Sequence, residues 1–331
     1  MRLLQYVDNL LTRVARADAN GVVTPLRRFT TTYDLAQRAI DEHCTLATII
    51  GREEFDPPLG YADLLRDGRL LPPVTHPDPA HCLVSGTGLT HLGSAAARDS
   101  MHQKLNRQDT ELSDSMKMFK WGVEGGKPSG DQPGMQPEWF YKGNGRNVVA
   151  SGCSIQAPDF AEDYGEEPEI VGCYLIDALG NPQRLGFAIG NEFSDHVTER
   201  RNYLLLAHSK LRQCGVGPML NTGELPGKLE GTSRIRRAGE VLWQKPFLTG
   251  EGNMSHSIAN LEYHHFKYRQ HRVPGDVHLH FFGTATLSFV DNVKVEPGDE
   301  FEIDLPALGA PLINKLAVEP GSHALGGTIA L

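Results

Sequence analysis

Glu167 and Glu169 stand two residues apart in the segment Tyr164-Gly-Glu-Glu-Pro-Glu-Ile-Val-Gly172. On an extended chain, side chains two apart point the same way, so both carboxylates face one side. Adjacent like charges repel, and something must offset that. Solvent does so on a surface strand; a bound divalent cation does so in a site. A hard ion such as Mg²⁺ takes oxygen ligands at about 2.0–2.1 Å, from a few carboxylates together with waters and substrate. Two carboxylates are too few, and Gly186-Phe-Ala-Ile-Gly-Asn-Glu-Phe-Ser-Asp-His196 supplies a third. There an apolar strand runs into Gly190-Asn191-Glu192, where the backbone turns and Glu192 can face inward. The same residues also read as a strand end before a helix, with Ser194 or Asp195 as its N-cap. Lys210 follows in Ala207-His-Ser-Lys-Leu-Arg212, just before the turn Gly215-Val-Gly-Pro218. A lone lysine is ordinarily a solvated surface charge, but this turn can hold Lys210 near a site.

The elements that must position these residues are mostly short strands. Residues 1–75 read as a small N-terminal α/β domain. In it, strands Leu3 to Val7 and Val22 to Leu26 flank the turn Ala19-Asn20-Gly21, and a helix Tyr33 to His43 is capped by Thr32. Leu71-Pro72-Pro73 to Pro79 is a proline-broken linker. Residues 76–331 then form the catalytic domain. Strands are expected at Cys82 to Ser85, Trp139 to Lys142, Ile170 to Ile176, Val277 to Phe282, Thr286 to Val290 and Glu300 to Asp304. Helices are expected at Ser94 to Leu105 and His196 to His208. Segment 106–135 reads as a long loop or lid. The class is α+β with β dominant, the strands being too many and too close for a doubly wound sheet. Pro168 cannot donate to a ladder, so its strand is expected to be locally open or at an edge.

Composition narrows the partners. The 331 residues carry a net charge of −9, which argues against a nucleic-acid partner, since phosphate binding wants clustered Lys and Arg. No apolar run approaches the roughly 18 residues that span a bilayer, and Asp8, Arg13 and Arg16 interrupt the N-terminal apolar stretch. The five cysteines are scattered without a C-x-x-C pair, so the expected compartment is the cytoplasm. His278 and His280 alternate on a strand and His264 and His265 are adjacent, but no His-x-x-x-His spacing joins them into a metal set.

The order E-x-E, then G-x-x-x-G-N-[D/E]-x-S, then S-K, then G-P resembles the core of the fumarylacetoacetate hydrolase family. Trp139-Phe-Tyr-Lys-Gly143, Asn253-Met254, Pro274-Gly-Asp-Val277 with Gly283-Thr284, and Pro297-Gly-Asp299 with Leu308-Gly309 extend the likeness over roughly residues 80–316. The resemblance implies a mixed β-sandwich roll and Mg²⁺, with Mn²⁺ or Ca²⁺ as substitutes, on Glu167, Glu169 and Glu192. It implies a 2-keto acid substrate touched by Lys210, with Asn253-Met254 in the substrate loop and Gly283 and Thr284, in the family's late threonine turn, as substrate-binding residues. A homodimer is expected from the same likeness and from the β-rich edges such folds cover. The sequence departs from the family at Glu192, where Asp is usual, and at Phe282, where Thr is common. In Ser85-Gly-Thr-Gly-Leu-Thr-His-Leu-Gly-Ser94, His91 matches the histidine of the family's water-activating pair, but Ser94 stands where its glutamate belongs.

That loop, followed by Ala97-Arg98-Asp99, is similar to the family's sugar-acid branch, whose members dehydrate 2-keto-3-deoxy sugar acids, and within it to the group associated with arabinose catabolism. The expected reaction is loss of water from an acid such as 2-keto-3-deoxy-L-arabonate, giving 2,5-dioxopentanoate through an enolate that the cation stabilises. His91 is the expected proton-transfer residue, Lys210 the charge at the oxyanion, and Arg98 a carboxylate clamp. An acylpyruvate-type C–C hydrolase and a non-catalytic sugar-acid binding protein are the alternatives. The intact set of three glutamates and a lysine speaks against the second.

Overall fold

The computed structural model describes residues 1–93, 112–130, 132–321 and 328–331. Among these, thirteen strands join one large mixed sheet and five a smaller one. The large sheet runs from Leu59–Gly60 through Val22–Pro25, Leu11–Ala17, Arg2–Asp8, Leu220–Asn221, Pro182–Asn191, Pro168–Ile176, Val277–Phe281 and Cys82–Gly86 to Phe140–Asn144. The smaller sheet orders Glu240–Thr249, Leu229–Arg237, Glu300–Asp304, Leu312–Val318 and Ser154–Ala157. The β-dominated α+β class expected from the sequence is the class observed. The sheet crosses the boundary read at residue 75, because Leu3 of the first strand pairs with Leu220. No helix among the described residues is long and apolar enough to cross a membrane.

Every residue of Pro168–Ile176 is buried, so this strand is covered on both faces and shows no polar alternation. Val171, Cys173 and Leu175 enter the core that also holds Leu3, Leu35 and Phe281, while Ile170 enters a second core with Phe187, Ile189 and Leu261. Its neighbours are Pro182–Asn191 on one side and Val277–Phe281 on the other, so the strand of Pro168 is central and not an edge. The proline is tolerated because it is the first residue of the strand, where no ladder donor is required.

Other expectations shift for local reasons. The first helix spans Thr32–Asp41 and is capped by Thr31, whose hydroxyl accepts from the Asp34 N–H at 3.0 Å. The single helix read over His196 to His208 is broken: Asn202 ends His196–Arg201, and its side chain accepts from the Leu204 N–H to start a new turn. Thr286 to Val290 is not a strand. Ser288–Asp291 forms a 3₁₀ turn instead, because the Ser288 N–H and hydroxyl both bind the buried Glu166 carboxylate at 2.9 and 2.6 Å. Within the segment read as a lid, Asp114–Gly125 is a helix capped by Ser113. The helix expected at Ser94 to Leu105 lies outside the described residues.

Candidate metal centre and active site

The ladder register brings the three carboxylates together. Pro168 pairs with Asn191, and the Glu192 N–H donates to the Glu167 carbonyl at 3.0 Å, so Glu192 lies opposite Glu167. Residues opposite each other on an antiparallel pair share a face, and Glu169, two beyond Glu167, shares it too. The residue facing Glu169 is Gly190, which adds no side chain to the space. All three carboxylates are buried, and one oxygen of each lies within 4.8 Å of the others. This is the convergence the sequence pattern asks for.

Such a cluster is expensive unless cations meet it. Lys210 Nζ donates to Glu167 Oε1 at 2.5 Å and Glu192 Oε2 at 2.8 Å, and to the Ser194 hydroxyl at 3.1 Å. Lys142 Nζ reaches Glu192 Oε1 at 2.5 Å. His196 Nε2 meets Glu167 Oε1 at 2.9 Å while Nδ1 meets Asp163 at 3.2 Å. Burial works against charge at each of these groups. At Glu167 it is outweighed by Lys210 and His196, which hold the carboxyl well below the usual range. At Lys210 the Glu167, Glu192 and Glu199 carboxylates outweigh it and keep the ammonium charged. Asp163 and Glu167 likewise raise His196 to about 10. Glu169 goes the other way. Burial, with Glu192 and Glu167 beside it, pushes its carboxyl well above the usual range, and the Gly283 N–H at 2.7 Å only partly offsets this. The donor set therefore fits a hard divalent cation: three buried carboxylates, two of which, Glu169 and Glu192, the protein's own cations leave undercompensated.

The other residues expected at the site are placed as follows. Gly283 supports Glu169 through its backbone, and Thr284 follows it, half-buried, with its hydroxyl accepting from the Thr286 N–H at 3.3 Å. Gly283 has φ +91°, and a Cβ there would lie 2.2 Å from Thr90 Oγ1 and 2.8 Å from the Thr87 carbonyl. Gly283→Ala should thus cost about 1–3 kcal/mol in urea unfolding, the usual size of such backbone strain. His91 is buried, with Nδ1 on the Thr90 hydroxyl at 3.1 Å and Nε2 on the Thr249 hydroxyl at 3.0 Å, and burial pulls its pKa down to about 3. Ser94 and Arg98 lie outside the described residues. The histidines near the sheet, His265, His278 and His280, stack and hydrogen-bond among themselves, and among the described residues they form no set within reach of one metal ion.

Among the site residues that the sequence pattern does not single out, Glu138 and Lys142 come from one segment. Glu138, Phe140 and Lys142 alternate with the exposed Trp139 and Tyr141, so all three face inward. Lys142 binds Glu192, and the Phe140 ring lies under Lys210 Nζ at 5.0 Å. Glu138 is close enough to Lys210, Glu199 and Glu167 to feel their charges. Burial first, then Glu199, raises its carboxyl to about 7 against the pull of Lys210. Gly88 leaves room for this carboxylate, since a Cβ there would sit 2.6 Å from Glu138 Oε1. The period-two burial of charged residues beside an aromatic is the signal that could have found them.

No protein-family model matches the chain, and no curated protein matches it. Solved structures do. The apo form of 2-keto-3-deoxy-D-arabinonate dehydratase superposes at TM-score 0.71 with 19% identity, over 97% of this chain and 100% of that one. The same enzyme complexed with magnesium and 2,5-dioxopentanoate gives TM-score 0.71 and 20% identity over the same shares. 5-Carboxymethyl-2-hydroxymuconate delta-isomerase from Mycobacterium smegmatis gives TM-score 0.57 and 17% identity, over 96% and 100%. The chain has the fold that these enzymes share, the fold the sequence resemblance implied.

Proposed function

We propose that this protein is an enzyme of the fumarylacetoacetate hydrolase family that removes water from a 2-keto-3-deoxy sugar acid. The observation that carries the reading is the buried triad of Glu167, Glu169 and Glu192 with Lys210 between two of its members. A similarly folded dehydratase has been seen with magnesium and 2,5-dioxopentanoate, which supports a 2-keto acid at such a site. When bound by the three glutamates, Mg²⁺ supplies Lewis-acid polarisation of the 2-keto group.

The chain's own residues do the rest. The Lys210 ammonium faces the oxygen on which charge develops as the C3 proton leaves, a preorganised stabiliser worth about 2.7–4 kcal/mol in comparable sites. Glu138, with a pKa near 7, is a stronger base than an ordinary carboxylate, and it can take the C3 proton and return it to the departing C4 hydroxyl. It suits this task better than His91, whose ring nitrogens are both engaged by threonine hydroxyls. Ser94, standing where the family's hydrolases carry a glutamate, speaks against C–C hydrolysis, because His91 then lacks the carboxylate that would help it activate a water.

The test is turnover of 2-keto-3-deoxypentonates and acylpyruvates, each with Mg²⁺ and with chelator. Dehydration that requires Mg²⁺ is expected. Efficient acylpyruvate cleavage with every 2-keto-3-deoxypentonate left untouched would sink the proposal. The pH dependence should follow Glu138: kcat/KM rises as pH climbs through about 7 in the free enzyme and then levels, because the base must be ionised.

A further inference from the structure

Both oxygens of Glu192 are held by ammonium groups, Oε1 by Lys142 at 2.5 Å and Oε2 by Lys210 at 2.8 Å. Lys210 also holds Glu167 Oε1 at 2.5 Å. A divalent cation entering among these carboxylates meets strong repulsion from an ammonium on the same oxygens, since the interaction scales with the charge product over distance. One lysine must yield. Lys142 is fixed: its side chain is fully buried, and Nζ also donates to the Phe193 and Lys210 carbonyls at 2.6 and 3.1 Å. Lys210 has somewhere to go. Its Nζ lies 3.7 Å from Glu199 Oε2, an oxygen that is buried and accepts no hydrogen bond among the described residues. That oxygen meets Lys210 only at ion-pair distance, on a side chain 32% exposed, and a short shift of the ammonium would give it the hydrogen bond it lacks.

We infer that Glu199 is a second seat for the Lys210 ammonium, taken when a divalent cation engages Glu167 and Glu192, and that Lys210 holds the cation's place until then. For cation binding, Glu199 is thus a positioning residue that acts through Lys210. It stands on the helix His196–Arg201, which also presents His196 to Glu167. A short shift between partners keeps the ammonium at the edge of the site. There it is free of the ligand carboxylates and available to a substrate oxygen. This inference rests on reading the three carboxylates as a divalent-cation site.

The experiment is calorimetric titration of MgCl₂ into chelator-stripped, full-length protein for wild type, Lys210→Met, Glu199→Gln and the double variant. Removing the competing ammonium should tighten Mg²⁺ by about tenfold or more, and Glu199→Gln alone should weaken it about three- to tenfold. In the Lys210→Met background Glu199→Gln should change affinity by less than about twofold, the signature of a residue working through one partner. Equal weakening in both backgrounds would show a plain charge effect and overturn the inference, as would no tightening in Lys210→Met. A wild type that binds no Mg²⁺ would instead overturn the cation site itself, and the inference with it. Paired wild-type crystal structures cover the case of a variant that fails to fold. With Mg²⁺, Lys210 Nζ should stand within about 3.2 Å of Glu199 Oε2, a hydrogen-bond distance. A Lys210 still bridging Glu167 and Glu192 beside a bound Mg²⁺ would overturn the inference.

Discussion

Replacing Lys142 with methionine should cost the metal-free protein about 3–5 kcal/mol, the usual loss when one partner of a buried ion pair is removed. Lys142 is fully buried and touches Glu192 at 2.5 Å, so methionine fills a similar volume but leaves the carboxylate with one cation, Lys210, and the Ser194 hydroxyl at 3.3 Å. It also strips a donor from the Phe193 and Lys210 carbonyls. Burial and Glu167 already push Glu192 up to about 7 against the two lysines, and the loss of one pushes it further. Domains of this kind are stable by about 5–15 kcal/mol in total, so the variant should be close to its folding limit. Urea unfolding with chelator present reads the loss. A change under about 1 kcal/mol, the value of an exposed pair, would show that Lys142 does not balance the acidic cluster.

The second large effect is on turnover. Glu138→Gln keeps the shape of the side chain, but it can neither take nor return a proton. kcat should fall about 10²–10⁴-fold, the range for a general acid–base group, with KM little changed. The same substitution should stabilise the protein above neutrality. Glu138 has its carboxyl raised from 4.5 to about 7 in the fold, mainly by burial. A raised pKa means that the folded state holds its proton longer than the unfolded chain. The group's stabilising share is therefore complete below about 4.5 and is lost as pH rises through about 7. Glutamine does not titrate, so thermal melts at pH 8 should favour the variant and melts at pH 4 should not. A Glu138→Gln enzyme of normal kcat would return the proton-transfer role to His91 or to a residue of the 94–111 segment.

Much of the acidic site was legible because its spacing is local. Glu167 and Glu169 share a face by strand period alone, and the Gly190-Asn191-Glu192 turn places the third carboxylate. What the sequence does not carry is register. That Glu192 falls opposite Glu167 depends on Pro168 pairing with Asn191, and nothing in either strand by itself states that pairing. The Pro168 strand reads as locally open or at an edge because the missing donor is conspicuous, while its central place and the proline's position at the strand's first residue are set by the fold. Charged partners drawn from distant segments were the least visible. Lys142 lies 50 residues before Glu192 and His196 lies 29 after Glu167, and each looks like an ordinary solvated side chain until burial removes the solvent. Thr286 to Val290 failed for a related reason. Its apolar run reads as a strand, but Ser288 is captured by Glu166, whose buried carboxylate needs both the hydroxyl and the N–H.

The most direct measurement is an anomalous-diffraction experiment on crystals grown with Mn²⁺ in place of Mg²⁺. One peak per chain is expected, within about 2.5 Å of an oxygen from each of Glu167, Glu169 and Glu192, and it should vanish in Glu169→Gln. Absence of a peak between the three carboxylates at saturating Mn²⁺, with Lys210 still joining Glu167 to Glu192, would contradict the account.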